Sequence, residues 1–433
     1  MKKLILPCHE IEGHLVPPAD KSVSHRAAIL NSLAKGETVI DNFSEGADCK
    51  STLNCLKAMG VVTEKLVSNN CEERLRIISP GLRDFIEPSD VLNAKNSGTT
   101  MRFLMGLLAS TSFFSVITGD KSLRTRPMGR IVNPLRLMGT QIMGRGNDSL
   151  APLTIRGGDL KGIEYTMPVA SAQLKSSLTI AALFANKETT LHQPAQSRDH
   201  TERMLSAMGA SITQDGNTLK IKPCPSLNPV NIRVSGDISS ASFWIVAAIA
   251  HPNARIRLDN VGINPTRSGI VNVLQNMGAN ISLINTRSEG GEPVSDMIIE
   301  SSDLVGVDVD KDMIPIIQDE IPILALAACF AKGNTMIRDA EELRYKESDR
   351  LNTTATELSK LGARIKEYPD GLLIQGTGSL NGGSCKAHND HRIAMMLGIA
   401  GLLAKDPVTL TGSEVVDISY PNFWKDLETI SKV

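Results

Sequence analysis

Ser171-Ala172-Gln173-Leu174-Lys175-Ser176-Ser177-Leu178-Thr179-Ile180-Ala181-Ala182 opens a segment that closes at Met208-Gly209 and runs on into Ala210-Ser211-Ile212. A polar start leads into an Ala/Leu-rich run, then a turn and a β-like stretch. A second, amphipathic helix follows and ends at the Met-Gly pair. Glycine just past a helix accepts the left-handed conformation that terminates it. The same ending recurs at Met59-Gly60, Met138-Gly139, Met277-Gly278 and Leu361-Gly362. The steps between endings, about 79, 70, 69 and 84 residues, are longer than the roughly 20–50 residues of solenoid repeats.

Ala-rich runs with similar starts begin at Asp20-Lys21-Ser22, Asn96-Ser97-Gly98, Asp237-Ile238-Ser239, Asp319-Glu320 and His388-Asn389-Asp390, making six units with Ser171. Short β-branched stretches such as Thr38-Val39-Ile40 and Thr335-Met336-Ile337 follow most of them. The unit reads strand, helix, strand, helix, strand, strand. First helices that are apolar all round predict burial, with the second helices packed outside them. The fold class is therefore α/β, and two domains of three units each is the natural grouping. The chain is expected to cross between them near Ser235-Gly236-Asp237 and at Pro17-Pro18.

A length of 433 residues suits two or three domains at roughly 150 residues each. Hydrophobic residues at 41% supply ample core. The formal net charge of −1 argues against a polybasic nucleic-acid protein and against an acidic tail. Aromatics at 3% are too few for base-stacking platforms or membrane-interface belts. The seven cysteines (Cys8, Cys49, Cys55, Cys71, Cys224, Cys329, Cys385) form no C-x-x-C pair, and the histidines do not join them in a zinc spacing. Reduced thiols in a cytoplasm-like compartment are expected. Residues 1–7 lack the apolar core of a signal peptide, and the run 321–331 is too short to span a bilayer. The expectation is a soluble, cytoplasmic protein without metal or cofactor.

A helix N-terminus exposes unpaired N–H groups and the positive end of its dipole, so several ends aimed at one cleft would bind anions, phosphate above all. Asp, Ser and Asn at such starts are equally well explained as caps. Capping accounts for Asp237 and Ser239, but not for the cation within a turn or two of so many starts. In Asp20-Lys21-Ser22-Val23-Ser24-His25-Arg26, Ser22 and Arg26 share a helix face with Lys21 at its mouth. An anion would relieve the conflict between that lysine and the dipole; a solvated charged turn is the alternative. Asp120-Lys121-Ser122-Leu123-Arg124-Thr125-Arg126-Pro127 places three cations in a loop, with proline fixing the backbone beside Arg126. Lys346 and Arg350 are read on one helix face, either serving a site or ion-paired with Glu342 and Asp349. His388-Asn389-Asp390-His391-Arg392 has two histidines but no third ligand nearby, so it reads as a helix start delivering Arg392. No G-x-x-x-x-G-K-[ST] or G-x-G-x-x-G pattern supports nucleotide binding.

Taken together and in order, Asp20-Lys21-Ser22-x-Ser24-His25-Arg26, Asn96-x-Gly98-Thr99, Arg126-Pro127-Met128-Gly129, Leu343-Arg344-x-Lys346-Glu347-Ser348-Asp349-Arg350-Leu351 and Asn389-Asp390-His391-Arg392-x-Ala394-Met395 closely resemble the EPSP synthase (3-phosphoshikimate 1-carboxyvinyltransferase) family. The resemblance runs from about Lys21 to about Trp424. It implies the two-domain carboxyvinyl transferase fold of six βαβαββ units, with residues 1–19 and 235–433 in one domain, 20–234 in the other, and the active site in the cleft between. It also implies transfer of the carboxyvinyl group of phosphoenolpyruvate to the 5-hydroxyl of shikimate 3-phosphate, with release of phosphate, in aromatic amino-acid biosynthesis. By resemblance, Lys21, Ser22, Arg26, Ser171, Ala172, Gln173, Arg198, Asp319 and Lys346 would meet shikimate 3-phosphate. Lys21, Asn96, Gly98, Arg126, Gln173, Lys346, Glu347, Arg350 and Arg392 would hold or border phosphoenolpyruvate. Asp319, Glu347 and Lys21 are the implied catalytic groups, with Asp319 as base toward the hydroxyl and Glu347 or Lys21 handling protons at the methylene carbon. Asp319 alone could equally be an N-cap, since Ile321-Pro322 follows it.

The stretch Asp417-Ile418-Ser419-Tyr420-Pro421 lacks the lysine that some members carry before Thr-Phe-Pro, and Ala172 replaces a second serine. With Arg198-Asp199-His200-Thr201 and Asp319-Glu320-x-Pro322-Ile323-Leu324, these features resemble the second class, which contains glyphosate-tolerant enzymes. Gly98 nevertheless stands where tolerant members carry alanine, so glyphosate is expected to inhibit in competition with phosphoenolpyruvate. A monomer is expected, with no nucleic-acid or membrane partner. The sister transferase acting on UDP-N-acetylglucosamine usually carries a loop cysteine, and residues 118–130 contain none. A non-catalytic anion-binding protein of the same fold is the rival of another class; intact Lys21, Asp319, Glu347 and Arg350 argue against it.

Overall fold

Asp20 starts the first Ala-rich helix by accepting the Val23 N–H at 2.9 Å, and the eleven residues Val23 to Leu33 that follow are all buried. That helix, α1 (Lys21–Leu33), belongs to a computed structural model that describes residues 1–67, 73–289 and 291–432. The chain divides into two compact units: an outer unit of Met1–Pro18, Gly236–Arg287 and Pro293–Val433, and an inserted unit of Ala19–Ser235 with Ser288–Glu292.

In the inserted unit α1 is followed by α2 (Ala47–Ala58), α3 (Gly98–Ala109), α4 (Ala172–Ala182) and α5 (His200–Ala207). Ile29, Leu30, Met101, Phe103, Leu104 and Leu178 are wholly buried, as helices apolar on every side must be. Helices α3 and α4 approach so closely at Gly106 that a β-carbon there would collide with the Ser177 carbonyl. Around these helices lie three four-stranded sheets. In the second, Leu92–Asn93 runs parallel to Phe114–Thr118, which pairs antiparallel with Leu150–Arg156, itself paired with Gln141–Gly144. The first sheet draws its parallel edge from Ile232–Arg233, beside Gly36–Asp41.

The outer unit is built on α6 (Ile238–Ala250), α7 (Ile321–Phe330), α8 (Arg350–Lys360) and α9 (His391–Leu403), with two three-stranded sheets and one five-stranded sheet. Its last repeat is shorter than the pattern predicts. Gly383–Lys386 lies parallel to Val408–Thr411, and the place of the missing strand is taken by Lys2–Ile5. The glycines closing the second helices, Gly60, Gly139, Gly209, Gly278 and Gly362, all have φ between +88° and +108°. The left-handed stop read from Met-Gly and Leu-Gly is thus present at all five of those endings.

The thiols of the described cysteines are free, and burial pushes Cys49, Cys55, Cys329 and Cys385 up to about 12. Cys71 lies outside the described residues. Among the described residues no single helix is long and apolar enough to cross a membrane.

Candidate active site

Ten of the residues singled out from the sequence fall in the inserted unit, around the starts of α1, α3 and α4. Lys21 is the first residue of α1, where the dipole opposes a cation, and its Nζ donates to Asp48 Oδ2 of α2 at 3.0 Å. Ser22, one residue on, is half-buried. Arg26 lies beneath it, 2% exposed, giving Nη1 to the Ser22 carbonyl at 2.9 Å, Nε to Thr201 at 2.7 Å and Nη2 to Ser176 at 3.2 Å. The guanidinium also lies over the Phe103 ring, 4.8 Å from its centroid. Burial lowers the Arg26 pKa to about 10; Glu202 works against this, and nearby Arg198 adds to it. Arg198, half-buried, stands just before α5.

At the start of α3, Ser97 caps the helix by accepting from Thr100 N at 3.1 Å. Asn96 donates to Asp120 Oδ2 at 2.6 Å and accepts from Arg126 Nη2 at 2.7 Å, so it aims one cation and is itself aimed by an acid. A β-carbon on Gly98 would meet Arg102 Nη1 at 2.9 Å and Arg126 Nη1 at 3.5 Å. Gln173, beside the half-buried Ala172 in the first turn of α4, accepts from Arg102 and donates to Thr99 at 3.0 Å, tying the starts of α3 and α4 together. Ser171 is the cap of α4, accepting from Leu174 N at 3.3 Å. Helix starts with guanidinium groups beside them favour phosphate and carboxylate. Asp48, Asp120 and Arg102 were not singled out from the sequence. The available signals were Asp120 at the head of the cation-rich loop and Arg102 four residues after Gly98 on one helix.

The other five fall in the outer unit. Arg350, the first residue of α8 and 2% exposed, joins three carboxylates. It reaches Asp390 Oδ2 at 2.8 Å, Glu347 Oε2 at 2.6 Å and Asp319 Oδ1 at 3.2 Å. Burial works to lower its pKa, but Asp390, Glu347 and Asp319 together raise it above the usual value. For Asp390, burial pushes upward and Arg350 prevails, holding the carboxyl below its usual range. Asp319 also has Lys346 Nζ at 3.7 Å and Arg392 Nη2 at 3.9 Å.

Two readings of this region need correction. Lys346 and Arg350 do not share a helix face: Lys346 is extended after the short turn Glu341–Tyr345, and α8 begins at Arg350 behind the cap Asp349. The serine, glutamate and aspartate between them interrupt the helix because Asp349 turns to accept from Asn352 N at 3.1 Å. Nor is Asp319 the cap of α7. Glu320 holds that position without a side-chain capping bond, which leaves Asp319 turned to the three cations. In the last segment Asp390 caps α9 through Arg392 N at 2.9 Å, and His388 bonds Glu357 at 2.6 Å. Among the described residues no cluster of histidine, cysteine and acidic side chains has a metal-binding arrangement.

The family model described as EPSP synthase (3-phosphoshikimate 1-carboxyvinyltransferase) matches residues 6–427. The chain is 50% identical over 426 residues to a 3-phosphoshikimate 1-carboxyvinyltransferase of Desulforudis audaxviator, covering 98% of each. It is 49% identical over 436 residues to that of Petrotoga mobilis, covering both completely. A solved EPSP synthase from Acinetobacter baumannii superimposes with a TM-score of 0.88 at 41% identity, over 99% of this chain and 98% of that one.

Proposed function

We propose a division of labour for a chain that belongs to the EPSP synthase family, the 3-phosphoshikimate 1-carboxyvinyltransferases. Its reaction moves the carboxyvinyl group of phosphoenolpyruvate to the 5-hydroxyl of shikimate 3-phosphate and releases phosphate, a step of aromatic amino-acid biosynthesis. The two residue groups, one in each unit, serve this one reaction, as the two-domain plan of the family implies. Ser22, Ser171, Ala172, Gln173 and Arg198 take shikimate 3-phosphate, with Arg26 contributing through the Ser22 carbonyl it holds. Asn96, Gly98, Arg126, Arg350 and Arg392 take or border phosphoenolpyruvate. Lys21 and Lys346 serve both substrates.

The chemistry is addition followed by elimination. The 5-hydroxyl oxygen bonds to C2 of phosphoenolpyruvate while C3 gains a proton and the hydroxyl loses one. Then the C2–O bond to phosphate breaks and C3 returns a proton, restoring the double bond. Asp319 receives the hydroxyl proton, and Glu347 or Lys21 serves C3. The observation that carries this reading is the pair Asp319 and Glu347 on two nitrogens of one buried arginine. Such an arrangement fixes two carboxylates for separate proton tasks. Phosphate release with shikimate 3-phosphate, run beside UDP-N-acetylglucosamine as acceptor, tests it. Release with the first acceptor alone, abolished in Lys21→Ala and Asp319→Ala, is expected; release with the second alone would move the chain to the sister branch.

The motif at Arg198 and the Asp319-Glu320 segment support an assignment to the second class of the family. Gly98 keeps it sensitive to glyphosate, because no methyl intrudes beside Arg102 and Arg126. A titration against phosphoenolpyruvate that shows no inhibition at high glyphosate would refute this. The enzyme acts as a cytoplasmic monomer without cofactor.

A further inference from the structure

Glu320 is fully buried, follows Asp319 directly, and has no part in the division of labour above. Its Oε1 accepts the Ser239 hydroxyl and an Arg267 N–H at 2.8 Å, while Oε2 has no hydrogen-bond partner among the described residues. Arg267, 2% exposed, also reaches Asp237, the cap of α6, at 3.2 Å. A carboxylate at the head of the apolar run Ile321–Phe330 is costly to bury, and α7 gains no cap from it. Its charge is paired with Arg267 at 2.8 Å and also faces Arg392, whose Nη1 stands 3.9 Å from Glu320 Oε1 while Nη2 stands 3.9 Å from Asp319 Oδ2. Among the described residues the Arg392 guanidinium makes no hydrogen bond; it stands 3.9 Å from each of two neighbouring acids.

We propose that Glu320 is a positioning residue for the carboxyvinyl transfer, holding Arg392 off Asp319 so that the arginine stays open to the anionic substrate. This rests on the assignment of Arg392 to phosphoenolpyruvate. Without the second carboxylate, Arg392 closes on Asp319 and is lost to the substrate. Ser239 and Arg267 fix the Glu320 carboxylate that does this.

The test is steady-state kinetics of Glu320→Gln, which keeps the shape and the Ser239 bond, with Arg392→Gln and the double variant, all checked by denaturant unfolding. Expected for Glu320→Gln is a KM for phosphoenolpyruvate raised about tenfold, the equivalent of about 1.4 kcal/mol, with the KM for shikimate 3-phosphate within about twofold of the parent. Glu320→Asp, which keeps the charge but draws it back by one methylene, shifts in the same direction by less, and serves if the glutamine variant does not fold. The double variant is expected to match Arg392→Gln alone. A structural role would lower stability and leave both KM values in place, which overturns the proposal. An unchanged KM in Arg392→Gln removes the assignment beneath it, whereas a raised KM there with no rise in either Glu320 variant overturns the proposal alone.

Discussion

Replacing Arg350 with methionine removes the cation from a site where three acids converge. Asp390 is the acid most affected, being 0% exposed; without Arg350 it keeps the Ser348 hydroxyl at 3.1 Å and the Arg392 N–H at 2.9 Å. Breaking a buried pair in this way costs about 3–5 kcal/mol. Glu347 and Asp319, at 20% and 16% exposure, retain access to water and add less. The loss should also depend on pH. In the parent the Asp390 carboxyl titrates below its ordinary 3.8, so its stabilisation is present above that pH and disappears as acid protonates it. In the variant the dominant influence is burial, which raises the carboxyl above 3.8, so the folded form takes up a proton as pH falls and the deficit shrinks. Urea unfolding at pH 7.5 and pH 5 measures both effects. Trp244 and Trp424 are the only tryptophans, and both lie in the outer unit with Arg350, so their fluorescence follows the affected unit. Adding Asp390→Asn, which can still cap α9, should recover part of the loss without restoring turnover. A deficit below about 1 kcal/mol, or one equal at both pH values, would refute the reasoning.

Asp319→Asn keeps the size of the side chain but cannot receive a proton, so phosphate release should fall by about 10²–10⁴-fold while the unfolding midpoint changes little. Gly106→Ala drives a methyl into the Ser177 carbonyl and should cost about 1–3 kcal/mol of inserted-unit stability, read by thermal unfolding. Burial lowers the His25 pKa to about 3, so the folded form refuses a proton that the unfolded chain accepts near 6.5. Its stabilisation is complete above pH 6.5 and falls by about 1–2 kcal/mol on going to pH 5. A His25→Asn variant should show a flatter dependence over that range, and an equal slope in both proteins would count against the assignment.

The repeats were legible because helix caps and stops are local. Asp20, Ser97, Ser171, Asp237 and Asp390 each bond an N–H two or three residues on, and the stop glycines act on their own backbone. Their register with the family motifs was legible for the same reason. What the sequence concealed depends on distant residues. Asp48 meets Lys21 from another helix, and Arg102 inside an apolar run looks like an ordinary helical charge until Gln173 arrives from α4. Lys346 and Arg350 were misplaced on one helix because their spacing fits, although Asp349 starts the helix between them. Glu320 was read only as part of the Asp319-Glu320-x-Pro322 stretch; its role depends on Arg267 and Arg392, neither of which is near it in the chain.

The borrowed edge strands set an order of events on the ribosome. Every sheet of the inserted unit closes within the chain up to Arg233, so those sheets can form before most of the outer unit has been made. The strand Lys2–Ile5 is synthesised long before its partner Val408–Thr411, and Lys3 finds its acidic partner Glu428 only 425 residues later. A strand made early is therefore paired late, and its exposed Leu4 and the neighbouring Leu6 are surfaces a chaperone would meet throughout that delay.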